Sequence, residues 1–182
     1  LLVFPSHGII GVTATFNNDE FIEEIERVRK DFDTVLISLY WTDVLKPDLV
    51  ASYEALGYKI VTSGHRFDLN FLSRQKSFIE LADYTMSNNL GTHVGYCIHL
   101  NKPHYIFQQR VFYDAKDQKT QKHLSDASNQ DNNLTYEWEL KEICEAFNQY
   151  EIDITEKQRE IVEEYWGESY IRTPEELRNI LR

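Results

Sequence analysis

Tyr84-Thr85-Met86-Ser87-Asn88-Asn89-Leu90-Gly91-Thr92-His93-Val94-Gly95-Tyr96-Cys97-Ile98-His99-Leu100-Asn101-Lys102-Pro103-His104-Tyr105-Ile106-Phe107 is the stretch on which the fold turns. Tyr84 to Met86 predicts a short strand, and the small polar residues after it predict a turn. Gly91 to Leu100 predicts a helix, and Pro103 to Phe107 a second strand. Strand, helix and strand in this order make a right-handed crossover between parallel strands.

The same rhythm runs back to the start of the chain. Leu1 to Phe4 is an apolar strand, broken by Pro5-Ser6-His7-Gly8. Asn18 is placed to cap a helix through about Lys30, with Phe21, Ile22, Ile25 and Val28 at helical spacing. Thr34 to Tyr40 is β-branched and apolar, hence a strand. Pro47 opens a helix that Gly57 stops, a favoured pairing of residues with helix ends. Tyr58 to Thr62 is a third strand, and Asp68 caps a helix bearing Phe71, Leu72, Phe78, Ile79 and Leu81. Alternation of this kind predicts an α/β, Rossmann-like parallel sheet with helices on both faces, spanning residues 1–107.

Beyond Phe107 the character changes. Asp114 to Asn133 is polar and reads as a mobile loop, and C-terminal helices follow over Tyr136–Gln149, Thr155–Trp166 and Thr173–Leu181. Thr155 with Gln158 and Thr173 with Glu176 have capping-box spacing. Residues 108–182 carry 17 acidic against 10 basic side chains, which a solvated helical face packed on the sheet explains. The loop and helices are expected to complete the same domain.

Composition narrows the function. The 182 residues carry a formal net charge of -11, which disfavours nucleic acid and anionic membrane surfaces as partners. At 42% hydrophobic and 13% aromatic the chain is too apolar for a disordered segment. Cys97 and Cys144 form no disulfide framework and lack zinc-ligand spacing, so a reducing, cytoplasmic setting is expected. No run of ~20 apolar residues occurs, and no basic-then-apolar stretch reads as a signal peptide, so neither a membrane span nor a leader is expected in this sequence. The chain opens inside an apolar run without an initiator methionine, and the expectation is a fragment of a longer polypeptide.

Ligands of parallel sheets bind beyond the carboxyl ends of the strands. Three loops rich in small and polar residues fall there. In the first, the Gly91-Thr92 helix start offers backbone amides and the positive end of a dipole to a phosphate, and Ser87, Asn88, Thr92 and His93 add polar side chains. Simple capping without a ligand is the alternative. In the second, Ser6, His7 and Gly8 follow the first strand, and His7 can act as a cation or as a neutral donor. In the third, Gly64, His65 and Arg66 follow the third strand. Arg66 suits bidentate phosphate recognition, or else pairs with Asp68 at the surface. Together these eleven residues predict a phosphorylated ligand. His99 and His104 read as structural, and Asp43 either contacts a sugar hydroxyl or caps the next helix. No metal is expected, since no histidine pair has zinc spacing, and neither a Gly-Lys-Ser/Thr loop nor a Gly-x-Ser-x-Gly elbow occurs.

The run from Ser87 to Pro103 resembles the signature of GT-B glycosyltransferases and the related UDP-N-acetylglucosamine 2-epimerases. Those families carry Ser, a small polar turn, a Gly-rich helix start, Glu-Ala, and Gly-x-Pro before the last strand of their C-terminal, nucleotide-sugar-binding domain. Ser87, Gly91, Thr92 and Pro103 match. Tyr96 stands where the acidic residue that grips the ribose is usual, and Asn101 replaces the glycine. The chain is also similar to bacterial surface-polysaccharide transferases in its helical ending. The resemblance implies a donor-binding domain that takes a nucleotide sugar and needs no separate cofactor. A glycan or lipid-linked acceptor and any general base would belong with an N-terminal acceptor domain, and peripheral membrane association of the full-length protein stays open. The alternatives are an epimerase and a noncatalytic binding or assembly domain.

Overall fold

The computed structural model describes residues 1–129 and 134–182. Five short strands form a parallel sheet: β1 (Leu2–Phe4), β3 (Leu36–Ser38), β4 (Lys59–Val61), β5 (Thr85–Ser87) and β6 (His104–Ile106). Their order is β4-β3-β1-β5-β6, with Val3 in register with Ile37 on one side and Met86 on the other. The chain therefore builds outward from β1 in one direction and then in the other, leaving a topological switch point between β1 and β5. The fold is a Rossmann-like α/β fold.

Strand alternation sends successive side chains to opposite faces. Val3, Ile37, Met86 and Tyr105 face α1 (Asn18–Val28) and α3 (Pro47–Glu54), meeting Phe21, Ile25, Val28 and Tyr53. Leu2 and Phe4 face α4 (Phe71–Leu81) and α5 (His93–His99) through Ile79 and Cys97. Burying one side chain such as Phe21 contributes about 1.5–3 kcal/mol. Burial pushes the Cys97 thiol up to about 12, so it behaves as an apolar filler. Among the described residues no helix is long and apolar enough to cross a membrane.

The C-terminal helices α7 (Leu134–Phe147) and α8 (Glu156–Trp166) pack on α5 and β6 through Ile143, Phe147, Ile161 and Val162. The Thr155 and Thr173 capping boxes are both formed, the second opening α9 (Pro174–Ile180). Gly95 brings α8 close, because a Cβ there would lie 2.3 Å from the Trp166 ring.

The polar segment corrects the sequence reading. Phe112–Ala115 is a strand, β7, paired antiparallel with β2 (Val12–Thr15), and Gln118–Asn129 is a helix, α6. Asp117 starts that helix by accepting the Thr120 amide at 2.8 Å, and its Gln and Lys residues are good helix formers. Its lack of apolar periodicity hid it. The rest of the expected loop, 130–133, lies outside the described residues. Smaller differences sit at helix ends: Asn17 rather than Asn18 caps α1, and Asp68 makes a turn before Asn70, the residue that precedes α4. A short helix, α2 (Trp41–Val44), was also not expected.

Candidate functional site

A crevice of about 340 Å³ lies beyond the carboxyl ends of the strands, at the switch point. The loop after β1 contributes Pro5, Ser6 and His7, and the end of β3 contributes Ser38, Leu39 and Tyr40. Ser63 and Gly64 come from the loop after β4, with Phe71, Leu72 and Gln75 from α4 behind them. Asn89 to Thr92 come from the loop after β5, His93 and Tyr96 from α5, and Tyr113 from β7. The three loops singled out by sequence thus meet in one place, as their positions after successive strands require.

Of the eleven candidate residues, Ser6, His7, Gly64, Gly91, Thr92 and His93 line the crevice, and the other five stand elsewhere. Gly8 is a structural glycine: a Cβ there would sit 2.1 Å from the Val12 carbonyl, at the tight turn joined by the Ile9–Val12 bridge. His65 packs between Trp41 and Phe67. Arg66 lies 4.9 Å over the Phe67 ring, and Arg74 takes the Asp68 carboxylate at 3.1 Å. The backbone turn at Asn70 and the Arg74 guanidinium together hold the Asp68 carboxyl below its ordinary range.

Ser87 and Asn88 are fully buried and work behind the crevice. Asn88 Oδ1 accepts the Ser6 amide at 2.6 Å, while its Nδ2 donates to Gln109 Oε1 at 3.2 Å. Gln109 donates in turn to the Asn17 carbonyl and Glu20. Two amide side chains, Asn88 and Gln109, therefore fix the loops after β1, β5 and β6 and the start of α1. Ser87 Oγ donates to the Asn89 carbonyl at 2.8 Å and meets His104 Nε2 at 3.1 Å. On the other side of that ring, Thr85 Oγ1 lies 2.8 Å from Nδ1 and 2.9 Å from the Pro103 carbonyl. A neutral imidazole has one N–H, so one of the two hydroxyls turns its proton from a carbonyl to the ring. Burial holds His104 well below its ordinary pKa, so the structural role read from sequence for this residue stands. His99 is exposed and pairs with Glu168 at 3.0 Å. Asp43 is buried, starts no new helix, and binds Lys46 at 2.6 Å.

The crevice itself is rich in hydroxyls, amides and rings. Its described lining holds no Lys, Arg, Asp or Glu. His7 stacks on Tyr40 at 4.5 Å, with its Nδ1 2.7 Å from the Gly8 carbonyl. His93 stacks on Phe4 at 4.7 Å, and burial drops its pKa to about 3, so it is neutral and serves as a polar ring rather than a cation. Its Nε2 is sealed from solvent and has no hydrogen-bond partner among the described residues, an arrangement that ordinarily costs about 1–3 kcal/mol. Gly91 has ordinary φ and leaves room for this ring, since a Cβ there would lie 2.7 Å from His93. α5 starts at His93, two residues later than expected, and the Val94 amide is already bonded to the Gly91 carbonyl. The helix end therefore offers fewer amides than the sequence promised, and hydroxyls and rings make up the difference.

Sequence reasoning missed Tyr40, Gln75, Tyr96 and Tyr113 as lining residues. Tyr40 was findable, since it ends a strand at the carboxyl edge. Tyr113 was not, because its place depends on a strand pairing with a segment far away in the chain. Among the described residues no group of histidine, cysteine and carboxylate side chains is placed to hold a metal ion. Comparison with protein-family models, curated sequences and solved structures finds no match to this chain. Fold and crevice together define a Rossmann-like α/β protein with a hydroxyl-rich cavity at its switch point.

Proposed function

We propose that the crevice binds a nucleotide sugar, and that the chain is the donor-binding domain of a GT-B-like glycosyltransferase acting in surface-glycan assembly. The observation that carries this reading is the convergence of the β1, β4 and β5 loops on one cavity at the switch point, lined by Ser6, Ser38, Ser63, Asn89 and Thr92. Hydroxyl and amide groups of this density suit a ligand made largely of hydroxyls and phosphate oxygens. Asn101 adds support: where the family pattern has glycine, it holds φ 56°, a left-handed conformation that glycine adopts freely and asparagine tolerates.

The reaction is transfer of a glycosyl group from the donor anomeric carbon to an acceptor hydroxyl, with the nucleoside diphosphate leaving. This domain holds the departing phosphates by neutral donors. The acceptor, glycan or lipid-linked, and the general base that takes its proton belong with an N-terminal partner domain. The reading carries with it the cytoplasmic setting expected from Cys97 and Cys144, which are free and buried.

Isothermal calorimetry of the chain against uridine, guanosine, cytidine and thymidine diphosphates and their sugars tests this. Saturable binding of at least one donor, without transfer by this chain alone, is expected. Failure of every one to bind overturns it.

A further inference from the structure

The crevice does not end at α4. It shares Leu72, Gln75 and Tyr96 with a second cavity, a groove of about 250 Å³ that continues between α4 and α5 over Lys76, Ile79, His99 and Leu100. The two cavities differ in chemistry. The crevice is hydroxyl-rich, whereas the groove has an aliphatic bed of Leu72, Ile79 and Leu100, a tyrosine ring, and three polar side chains, Gln75, Lys76 and His99. By itself the crevice sits at the low end of the ~300–1,000 Å³ typical of small-molecule sites, and the joined cavity falls well inside that range.

We propose that the groove is the subsite for the planar base of the nucleotide sugar whose hydroxylated part occupies the crevice. The inference rests on the donor-binding reading above and goes further by placing the ligand's two ends. A nucleobase has apolar faces and a hydrogen-bonding edge. Leu72, Ile79, Leu100 and Tyr96 match the faces. Gln75, Lys76 and His99 match the edge, the last two being only partly engaged at the surface by Glu80 at 3.6 Å and Glu168 at 3.0 Å. An alkyl chain would take water from Gln75, Lys76 and His99 while offering no hydrogen bond of its own in return, which costs free energy. Tyr96 lines both cavities and so stands where the ligand passes from one to the other.

The test compares base-bearing with base-free probes by calorimetry. The probes are adenosine, guanosine, cytidine, uridine and thymidine diphosphates, pyrophosphate, glucose 1-phosphate and octyl glucoside. One nucleotide is expected to bind at least about tenfold more tightly than pyrophosphate or glucose 1-phosphate. Lys76→Trp places an indole over the groove from an exposed helix position, and should remove most of that advantage while leaving the base-free probes unchanged. His99→Ala, remote from the core, should weaken the same nucleotide severalfold. Equal binding of base-free and base-bearing probes, or nucleotide binding untouched by both variants, overturns the groove assignment and leaves the crevice reading standing. Tighter binding of octyl glucoside than of any nucleotide, lost in Lys76→Trp, overturns it in favour of an apolar tail. If no nucleotide or sugar phosphate binds, the donor reading fails and the groove assignment with it.

Discussion

Asn88 shows how a residue can matter to a site it never touches. Its amide is the shared partner of Ser6 and Gln109, so Asn88→Ala takes a partner at once from the half-buried Ser6 amide and from the buried Gln109 side chain. The expected loss is about 2–4 kcal/mol, about 1–3 for each orphaned group with partial relaxation, read from urea denaturation. Ligand affinity should fall as well, because Ser6 and His7 lose their anchor. Asn101 makes the opposite case. With φ at 56°, Asn101→Gly should be neutral or slightly stabilising, whereas Asn101→Ala should cost about 1 kcal/mol in the same assay. Arg66 makes a third. Resting on Phe67 outside the crevice, it should be dispensable, so on the proposed reading Arg66→Ala is expected to change nucleotide-sugar affinity by less than about twofold in a calorimetric titration. A tenfold loss would mean that the β4 loop swings inward on binding. Sequence alone could mark Ser87, Asn88 and Arg66 as polar residues at a strand end. It could not say which way each side chain turns, because that depends on His104, Gln109 and Phe67 arriving from elsewhere in the chain.

At the scale of elements, local rules carried most of the fold. The five parallel strands, the Pro47 start and Gly57 stop, and both threonine capping boxes follow from spacing and turn chemistry that act within a few residues. What escaped was non-local or lacked an apolar stripe: β2 has only Val12 buried and finds its partner across the chain, and α6 has few apolar residues to betray its period. The contact between α5 and α8 gives an element-scale test. Gly95→Ala gains helix propensity of about 1 kcal/mol but drives a methyl into the Trp166 ring. Overpacking of this kind costs about 1–3 kcal/mol, so a net destabilisation is expected, with tryptophan emission shifted to the red as α8 lifts. An unchanged melting temperature and emission would show that the ring slides aside freely.

For the whole molecule, the ring column Phe4–His93–His104–Phe147 runs from the crevice floor to α7 and contributes to the response to acid. Both histidines are held neutral by burial, with folded-state pKa values far below the ordinary 6.5. Above about pH 6.5 neither folded nor unfolded chain carries these protons, and stability is at its full value. As pH falls the unfolded chain takes them up first, so stability declines by up to about 1.4 kcal/mol per pH unit for each histidine, toward about pH 3 for His93. Urea denaturation at a series of pH values should show that decline, and His104→Gln should roughly halve it. A flat profile between pH 6.5 and 4.5 would mean that these rings are not sealed.

The ribbon of β2 and β7 joins residues about a hundred positions apart, through four ladder pairs whose side chains mostly face solvent. Drawing such distant segments together costs loop-closure entropy that so little buried surface barely offsets. The ribbon is therefore expected to open before the central sheet does, with its amides exchanging with solvent faster than those of β1, β3 and β5. Tyr113 rides on it, so one wall of the crevice comes and goes on the timescale of that opening while the five-stranded floor stays intact.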